Sequence, residues 1–498
     1  MMLDGAVARG EPSGLLLAMP VVRMVEVAKE GLGRRSRLEG WSCRGIVQAG
    51  AIVACGLSQV GCRSGSNDVD NRVRESNDGG CRVPAIAVHG IGDLDGDLCS
   101  EWAVAVAENS SNGMCRSILL AVLDGRLGRS LLRLKVPSGA QVLGVALSGA
   151  SCTECSDTEL LGRVILGSVY RDEIGECFVR LEAVELGEAD VRRLCDVPVG
   201  LRDWGGGPLR DKATLKLRCV SLEEGRKAIL VSVPEGTGSR GFHSGVVLMV
   251  DVAMGRVVWT CPNWAGETGL GGSIAVISGE SGKRDRRIVL GVDRQGPEGG
   301  VASVVAVRSE ARRMALSLGQ PFEEFGAQAV AATLGGAGGL TAVAVVGVMP
   351  GGRSILTSEA MAVFSEEDGM WKRKWCLQEL QSGALLFCRA RFCKDVDGDG
   401  VKDLFVVRGS GCVDHEGIKK GNDTVSLVIV DGGKGIVHQR ASRTWPSWLE
   451  LVDCEIETDI DGDGVQGGIV VGLDRDGKVA VSRFGMWDES PSWTVGLK

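Results

Sequence analysis

Short apolar runs recur along the chain at intervals of about sixty residues, and this recurrence constrains the fold more than any other feature. The runs are rich in Val, Ile, Leu and Ala and are bounded by Gly and Asp, which is typical of β-strands rather than helices. Seven of them follow residue 84: EWAVAVA at 101, GRVILGS at 162, KAILVSV at 227, RRIVLGV at 286, TAVAVVGV at 341, KDLFVV at 402 and GGIVVGL at 467. A repeat therefore determines the architecture.

Each run is followed by a second apolar run that turns back through glycine. GVVLMVDVAMGRVVWT at 245–260 and VSLVIVDGGKGIVH at 425–438 are typical of β-hairpins. One four-stranded sheet fits a unit of this length, and seven sheets around an axis form a propeller, which protects the sheet edges. The rival architecture is two or three separate β-sandwiches, but equal spacing without a Pro-rich linker favours the propeller. We therefore predict an all-β, seven-bladed β-propeller over residues 84–498.

Residues 1–83 lack the repeat, and we predict a poorly structured N-terminal leader there. Arginines at 34–44 precede a short apolar stretch at 45–54, which is too short to span a membrane but long enough for an export signal. The sequence IVAC ending at Cys55 resembles a bacterial lipobox, which implies a lipidated Cys55 followed by a polar tether. The long segment before it is unusual for a signal, so the alternative is a disordered leader on a cytosolic protein.

Three acidic loops stand at corresponding places in the repeat. They are DLDGDLCSE (93–101), DVDGDGVKD (395–403) and DIDGDGVQG (459–467), and each precedes an apolar run. The first aspartates of the first two loops are 302 residues apart, about five repeat steps, and those of the last two are 64 residues apart. The acidic loops therefore keep step with the predicted strands.

The alternating acids of these loops predict calcium sites, because Ca²⁺ takes six to eight oxygen ligands that a tight turn can bring together. Glycines between the acids permit the sharp turn. The predicted ligands are Asp395, Asp397, Asp399, the Val401 carbonyl and Asp403 in one loop, Asp93, Asp95, Asp97 and Glu101 in another, and Asp459, Asp461, Asp463 and the Val465 carbonyl in the third. Gly467 replaces the closing acid of the third loop, so its site is expected to be weaker. Leu98 replaces the second glycine of the first loop.

An EF-hand begins similarly but needs an acidic ligand at its twelfth position. Valine stands there in all three loops, at Val104, Val406 and Val470. The motif D-x-D-G-D-G-x-x-D followed by LFVV instead resembles the FG-GAP repeat of integrin α-subunit propellers and related bacterial repeat proteins. This resemblance implies blade loops that bind calcium, and GRVVWT at 255–260 is similar to the inner hairpin of such blades. The four middle repeats have lost the acids.

The resemblance implies a non-catalytic binding or adhesion module outside the cytoplasm, with a protein or glycan ligand. A net charge of -8 without a long basic run argues against nucleic acid as a partner. The alternatives are a polysaccharide lyase or hydrolase on the same scaffold, with calcium in a structural or electrostatic role, and a purely structural propeller. Acids, His and Arg converging at the propeller axis would favour the enzyme, whereas small apolar residues there would favour binding.

No nucleophile elbow, phosphate loop or metalloprotease motif occurs in the chain. The four histidines are far apart, and we expect His89 to be a solvated loop residue. Cysteines inside apolar runs, such as Cys219 and Cys454, are expected to be small buried hydrophobes. Tryptophans of the last three repeats could stack on a ligand or pack between blades. They are Trp371, Trp375, Trp445, Trp448, Trp487 and Trp493.

Overall fold

A computed structural model describes most of the chain beyond residue 83. The described residues are 84–497 without 95–98, 110–114, 150–162, 202–212, 222–225, 238–244, 262–268, 278–286, 293–301, 307–312, 319–327, 338–339, 350–355, 383, 412–421, 446–449, 458–466, 475 and 486–492. The predicted leader, with Cys55, lies outside this range. Within the described part, no helix is long and apolar enough to span a membrane.

The described residues form seven four-stranded antiparallel sheets, the blades of a β-propeller. Blade 1 consists of Ile86–Gly92, Glu101–Asn109, Cys115–Leu123 and Ser130–Pro137. Blade 2 consists of Gln141–Gly149, Arg163–Arg171, Cys177–Glu185 and Asp190–Pro198. Blade 3 consists of Lys216–Ser221, Lys227–Val233, Val246–Asp251 and Arg256–Thr260. Blade 4 consists of Ile274–Ile277, Arg287–Gly291, Ala302–Ala306 and Arg313–Leu316.

The last three blades continue the same order. Blade 5 consists of Gln328–Ala337, Leu340–Met349, Leu356–Glu367 and Met370–Ser382. Blade 6 consists of Ala384–Phe392, Leu404–Gly411, Thr424–Val430 and Val437–Thr444. Blade 7 consists of Glu450–Glu457, Gly467–Leu473, Val479–Gly485 and Trp493–Leu497. A separate two-stranded pair joins Gly200–Leu201 to Gly236–Thr237.

The seven apolar runs identified in the sequence are the second strands of the seven blades, so the predicted seven-bladed propeller is confirmed. A second strand has neighbours on both edges and both faces and is almost fully buried, as in Arg163–Arg171, which explains its continuous apolar sequence. A fourth strand alternates between half-buried and exposed residues, as in Val437–Thr444. The expectation of an inner hairpin at 255–260 is wrong, because this segment is the outer edge of blade 3.

The first strands of neighbouring blades contact one another around the ring and so surround the propeller axis. Because the strands of each blade alternate in direction, the turns between strands one and two lie on the same face as those between strands three and four. We call this face, which carries the loop 395–403 and the turn 431–436, the loop face.

Seven hydrophobic clusters fill the spaces between adjacent blades, one for each pair. The cluster between the last and first blades joins Trp102 and Val104 to Ile469 and Val471. Every blade is built from one continuous chain segment, so the ring closes by side-chain packing and not by a shared sheet. Cys219 and Cys454 are buried, as predicted.

Tryptophans of outer strands pack against glycine turns of the next blade. Trp493 of blade 7 donates its indole N–H to the Gly125 carbonyl at 3.1 Å, and its ring lies against Gly128. Trp375 of blade 5 donates to the Gly432 carbonyl of blade 6 at 2.8 Å. Trp445 is buried in the cluster between blades 6 and 7, and Trp493 and Trp375 are partly buried, so these three side chains pack between blades.

Candidate metal centre

The acidic loop 395–403 connects the first strand of blade 6, Ala384–Phe392, to the second strand, Leu404–Gly411. Strands flank the loop on both sides, so it is not an EF-hand. Gly398 and Gly400 have φ angles of 79° and 85°, a left-handed conformation that side chains other than glycine rarely adopt. This backbone lets the chain reverse within the loop and brings its acids to one side.

The carboxylate of Asp395 organises the turn. Its Oδ1 accepts the backbone N–H groups of Gly398 at 2.7 Å and Asp399 at 3.1 Å. Its Oδ2 accepts the N–H of Gly400 at 2.6 Å. The hydrogen bond from Gly400, with those from Gly398 and Asp399, holds the pKa of the Asp395 carboxyl below its usual range. Asp395 is therefore a carboxylate at neutral pH and fixes the backbone around the other acids.

Asp395, Asp397 and Asp399 each offer a carboxylate oxygen, and these three atoms lie within 4.8 Å of one another. Asp397 accepts the N–H of Asp399 at 3.1 Å, and Asp399 accepts the N–H of Val401 at 2.9 Å. The loop therefore brings together three of the predicted ligands, with Val401 adjacent in the same turn. Closely spaced carboxylate oxygens are the donors that a hard divalent cation such as Ca²⁺ prefers.

The fourth acid, Asp403, is buried beneath the loop. It accepts the N–H of Val396 at 2.8 Å and the N–H of Gly432 at 3.1 Å. Burial raises its pKa, and the two backbone hydrogen bonds oppose this effect only in part. In blade 1 the buried Glu101 likewise accepts the N–H of Leu94, so the closing acids of the two loops occupy equivalent positions.

Three side chains that sequence reasoning missed complete the centre: Asp431, Lys434 and His438, from the hairpin between strands three and four of blade 6. The Lys434 ammonium donates to Asp399 at 2.8 Å and to Asp431 at 3.1 Å. His438 Nε2 lies 3.4 Å from Asp397 Oδ2. The hydrogen bonds to Asp399 and Asp431 raise the pKa of Lys434. Lys434 thus places a fixed positive charge beside the carboxylates.

A second repeated motif in the sequence could have revealed this hairpin. LDGRLG at 123–128, VDVAMG at 250–255 and VDGGKG at 430–435 all follow a third strand. In each, the buried aspartate accepts the N–H groups two and three residues further on, at 2.7 to 3.0 Å. The aspartates of this motif mark the loop face of their blades, where the acidic loop 395–403 also lies.

The other two predicted sites fall largely outside the described residues. Asp93 and Glu101 belong to the described part of blade 1, whereas Asp95 and Asp97 do not. None of the predicted ligands of the third loop lies within the described part. They are Asp459, Asp461, Asp463 and Val465.

Charged side chains from four first strands also meet near the propeller axis. They are His89 of blade 1, Lys216 and Arg218 of blade 3, Arg389 and Arg391 of blade 6, and Asp453 and Glu455 of blade 7. The expectation of a solvated loop at His89 is wrong, because this residue lies within the first strand of blade 1. Burial and the charges of Arg218 and Arg391 lower the pKa of His89 to about 3.

The chain matches no family model and no curated protein. Solved structures with a similar arrangement include a hypothetical selenium-binding protein from Sulfolobus tokodaii, with 10% identity, a TM-score of 0.47, and coverage of 80% of this chain and 90% of that one. The β-propeller domain of the Trilobed protease from Pyrococcus furiosus shows 9% identity, a TM-score of 0.40, and coverage of 83% and 98%. The fold of this chain is established by its own strand pairing.

Proposed function

We propose that this propeller is a non-catalytic, calcium-binding recognition module whose loop face contacts a protein or glycan. The observation that carries the proposal is the convergence of Asp395, Asp397 and Asp399 on the loop face of blade 6. Their oxygens would hold Ca²⁺, with Asp403 fixing the loop from beneath. The ion would supply positive charge that offsets the mutual repulsion of the carboxylates, so binding it would also hold the loop in shape.

Exposed apolar side chains on the loop face support a role in recognition. Leu127 of blade 1, Met254 of blade 3 and Ile436 of blade 6 lie in the turns between strands three and four, and Met370 begins strand four of blade 5; 43 to 59% of their surfaces is exposed. Val396 in the acidic loop is also exposed. A face that combines exposed apolar side chains with an acidic loop offers both contact area and charge to a partner.

The resemblance to FG-GAP repeats and the predicted signal at Cys55 support the proposal that this function is exerted outside the cytoplasm, with a lipid anchor as one route of attachment. Free calcium outside the cytoplasm is high enough to fill sites with dissociation constants of about 10⁻⁴ to 10⁻³ M. A weak site suffices there. The presence of Lys434 within the centre is consistent with such modest affinity.

A thermal melt with calcium and with a chelator tests the proposal. If 10 mM calcium exceeds the dissociation constant ten- to hundredfold, it stabilises the fold by about 1.4 to 2.7 kcal/mol. For a domain of about 400 residues this corresponds to a rise in melting temperature of roughly 2 to 3 °C. Asp397→Ala should reduce the rise. Equal melting temperatures of the wild type in calcium and chelator would refute the calcium site.

A second candidate function is an enzyme acting on polysaccharide, with calcium in a structural or electrostatic role. The convergence of His89, two arginines and Glu455 at the axis favours it. Burial raises the pKa of the Glu455 carboxyl, the direction of shift that a general acid needs. Depolymerisation of acidic polysaccharides by the wild type, abolished in Glu455→Gln at an unchanged melting temperature, would support this candidate. An inactive wild type would leave the binding module as the function.

A further inference from the structure

The first strands carry two levels of charge along the axis, which the calcium centre does not use. One level contains His89, Arg218, Arg391 and Glu455. These four residues share a level because their pairing partners occupy equivalent positions of four second strands. The partners are, in the same order, Ala103, Leu230, Phe405 and Ile469. Lys216, Arg389 and Asp453 lie opposite residues two positions further along their second strands. Side chains two residues apart share one side of a strand, so both levels face the same way.

The positive charges of this channel act on one another across the axis. The Arg389 charge, together with burial, lowers the pKa of Lys216, although Lys216 also lies near acids of blades 3 and 7. Burial and the charges of Arg218 and Arg391 keep His89 neutral. Cations from blades 3 and 6 therefore produce a positive potential at both levels.

Blade 7 provides hydrogen-bond partners for the two arginines of blade 6. Arg389 donates to Asp453 at 2.5 Å, and Arg391 donates to the Ile456 carbonyl at 3.1 Å. Among the residues that the structure describes, neither the Lys216 side chain nor the Arg218 side chain makes a hydrogen bond or an ion pair within 4 Å. The excess of positive charge therefore lies on the blade 3 side.

The remaining first strands add no charge that could neutralise these two cations. The first strands of blades 2, 4 and 5 contain no charged residue. The first strand of blade 7 has two more glutamates, but they stand at its two ends, at Glu450 and Glu457. In a chain with a net charge of -8, two cations facing the axis without an ion pair are an arrangement that a bound anion would complete.

We propose that the blade 3 side of the axial channel binds the oxyanion of a small ligand, a carboxylate or phosphate group, through Lys216 and Arg218. The planar guanidinium of Arg218 offers paired N–H donors that match such a group, and Lys216 adds a compact charge two residues away. This proposal does not depend on the calcium site.

Calorimetric titration of the full chain, stripped of metal on a chelating resin, tests the proposal at fixed ionic strength. The two probes are inorganic phosphate and tricarballylate, which separate phosphate from carboxylate chemistry. We expect one probe to bind saturably, and Arg218→Gln or Lys216→Gln to weaken its binding at least tenfold, because each removes a charge next to the anion. Arg192→Gln, which removes an exposed arginine from the outer strand of blade 2, should leave binding unchanged.

A variant that is expected to strengthen anion binding distinguishes an effect of charge from damage to the structure of the channel. Glu455→Gln removes a negative charge from the channel and should strengthen anion binding severalfold, whereas a variant that merely disturbs the channel would weaken it. The proposal is overturned if the wild type binds neither probe, if Arg218→Gln and Lys216→Gln bind as well as the wild type, or if Glu455→Gln weakens binding. A calcium-dependent melt remains possible in each of these cases, so failure here is distinguishable from failure of the calcium site.

Discussion

Closure of the propeller ring between blades 7 and 1 should depend on the contact between Trp493 and Gly128. Gly128 has a φ of 68°, and a Cβ added there would lie 2.5 Å from the Trp493 ring. Gly139 has nearly the same φ, 69°, but a Cβ there would meet no atom within 4 Å. Gly128→Ala and Gly139→Ala are therefore a matched pair with equal backbone strain and different contacts.

The magnitudes follow from these contacts. Left-handed backbone costs an L-residue about 1 to 2 kcal/mol, and both variants lose this. In Gly128→Ala the tryptophan must also move, which costs about 1 to 3 kcal/mol of packing. Moving it also breaks the 3.1 Å hydrogen bond from its indole to the Gly125 carbonyl, worth about 1 kcal/mol. We expect Gly128→Ala to lower the free energy of unfolding by about 2 to 4 kcal/mol more than Gly139→Ala.

Urea unfolding followed by intrinsic fluorescence measures both variants in parallel. A third measurement repeats Gly128→Ala in a Trp493→Leu background, where the added methyl group no longer meets an indole ring and the excess cost should shrink to less than about 1 kcal/mol. Equal destabilisation by the two alanines, or an excess cost that persists without the tryptophan, would refute the claim that this contact closes the ring.

Three further predictions concern the charged and buried groups. Lys434→Gln should raise calcium affinity about three- to tenfold, because it removes the ammonium group beside Asp399, whereas the control Lys478→Gln in a blade 7 turn should leave the affinity unchanged. An unchanged calcium affinity of Lys434→Gln, measured by calorimetry, would contradict this prediction. Glu359→Ala should lower the free energy of unfolding in urea by about 3 to 5 kcal/mol, because it leaves the buried charge of Arg408 between blades 5 and 6 without its ion-pair partner. Replacing both residues by Met should lower it less, and a larger loss in the double variant would contradict this prediction. Burial raises the pKa of the Cys393 thiol to about 12, so mass spectrometry after an alkylation pulse at pH 8 should find it unmodified in the native protein and modified in urea.

The sequence was sufficient to predict the blades because their second strands are buried on both faces. A strand such as Leu404–Gly411 opens with four consecutive buried apolar residues, so its run stands out and its recurrence can be counted. Outer strands such as Val437–Thr444 alternate between half-buried and exposed positions, and six of the eight residues of this strand are polar, which hides its place in the blade. The segment 255–260 was wrongly placed as an inner hairpin for a different reason: Val257 and Val258 are apolar although they are exposed on the outer edge of blade 3.

The sequence predicts those residues of the candidate centre that are close together in the chain, but not those that come from a distant segment. The spacing of Asp395, Asp397 and Asp399 within one turn is local, so the sequence alone indicated their convergence. Lys434 and His438 reach the same point from a hairpin more than thirty residues later, and the pairing of strand three with strands two and four brings them there. The axial charges are likewise assembled from four blades, although the repeat step that aligns the acidic loops also aligns His89 with Arg391.

Calorimetric titration of the metal-free protein with calcium shows whether the acids of loop 395–403 hold an ion. We expect saturable binding in the range of about 10⁻⁴ to 10⁻³ M, with one site lost in Asp397→Asn and none lost in Asp476→Asn, which removes an exposed carboxylate from a turn of blade 7. Identical isotherms for the wild type and Asp397→Asn would show that the acids of loop 395–403 do not bind calcium.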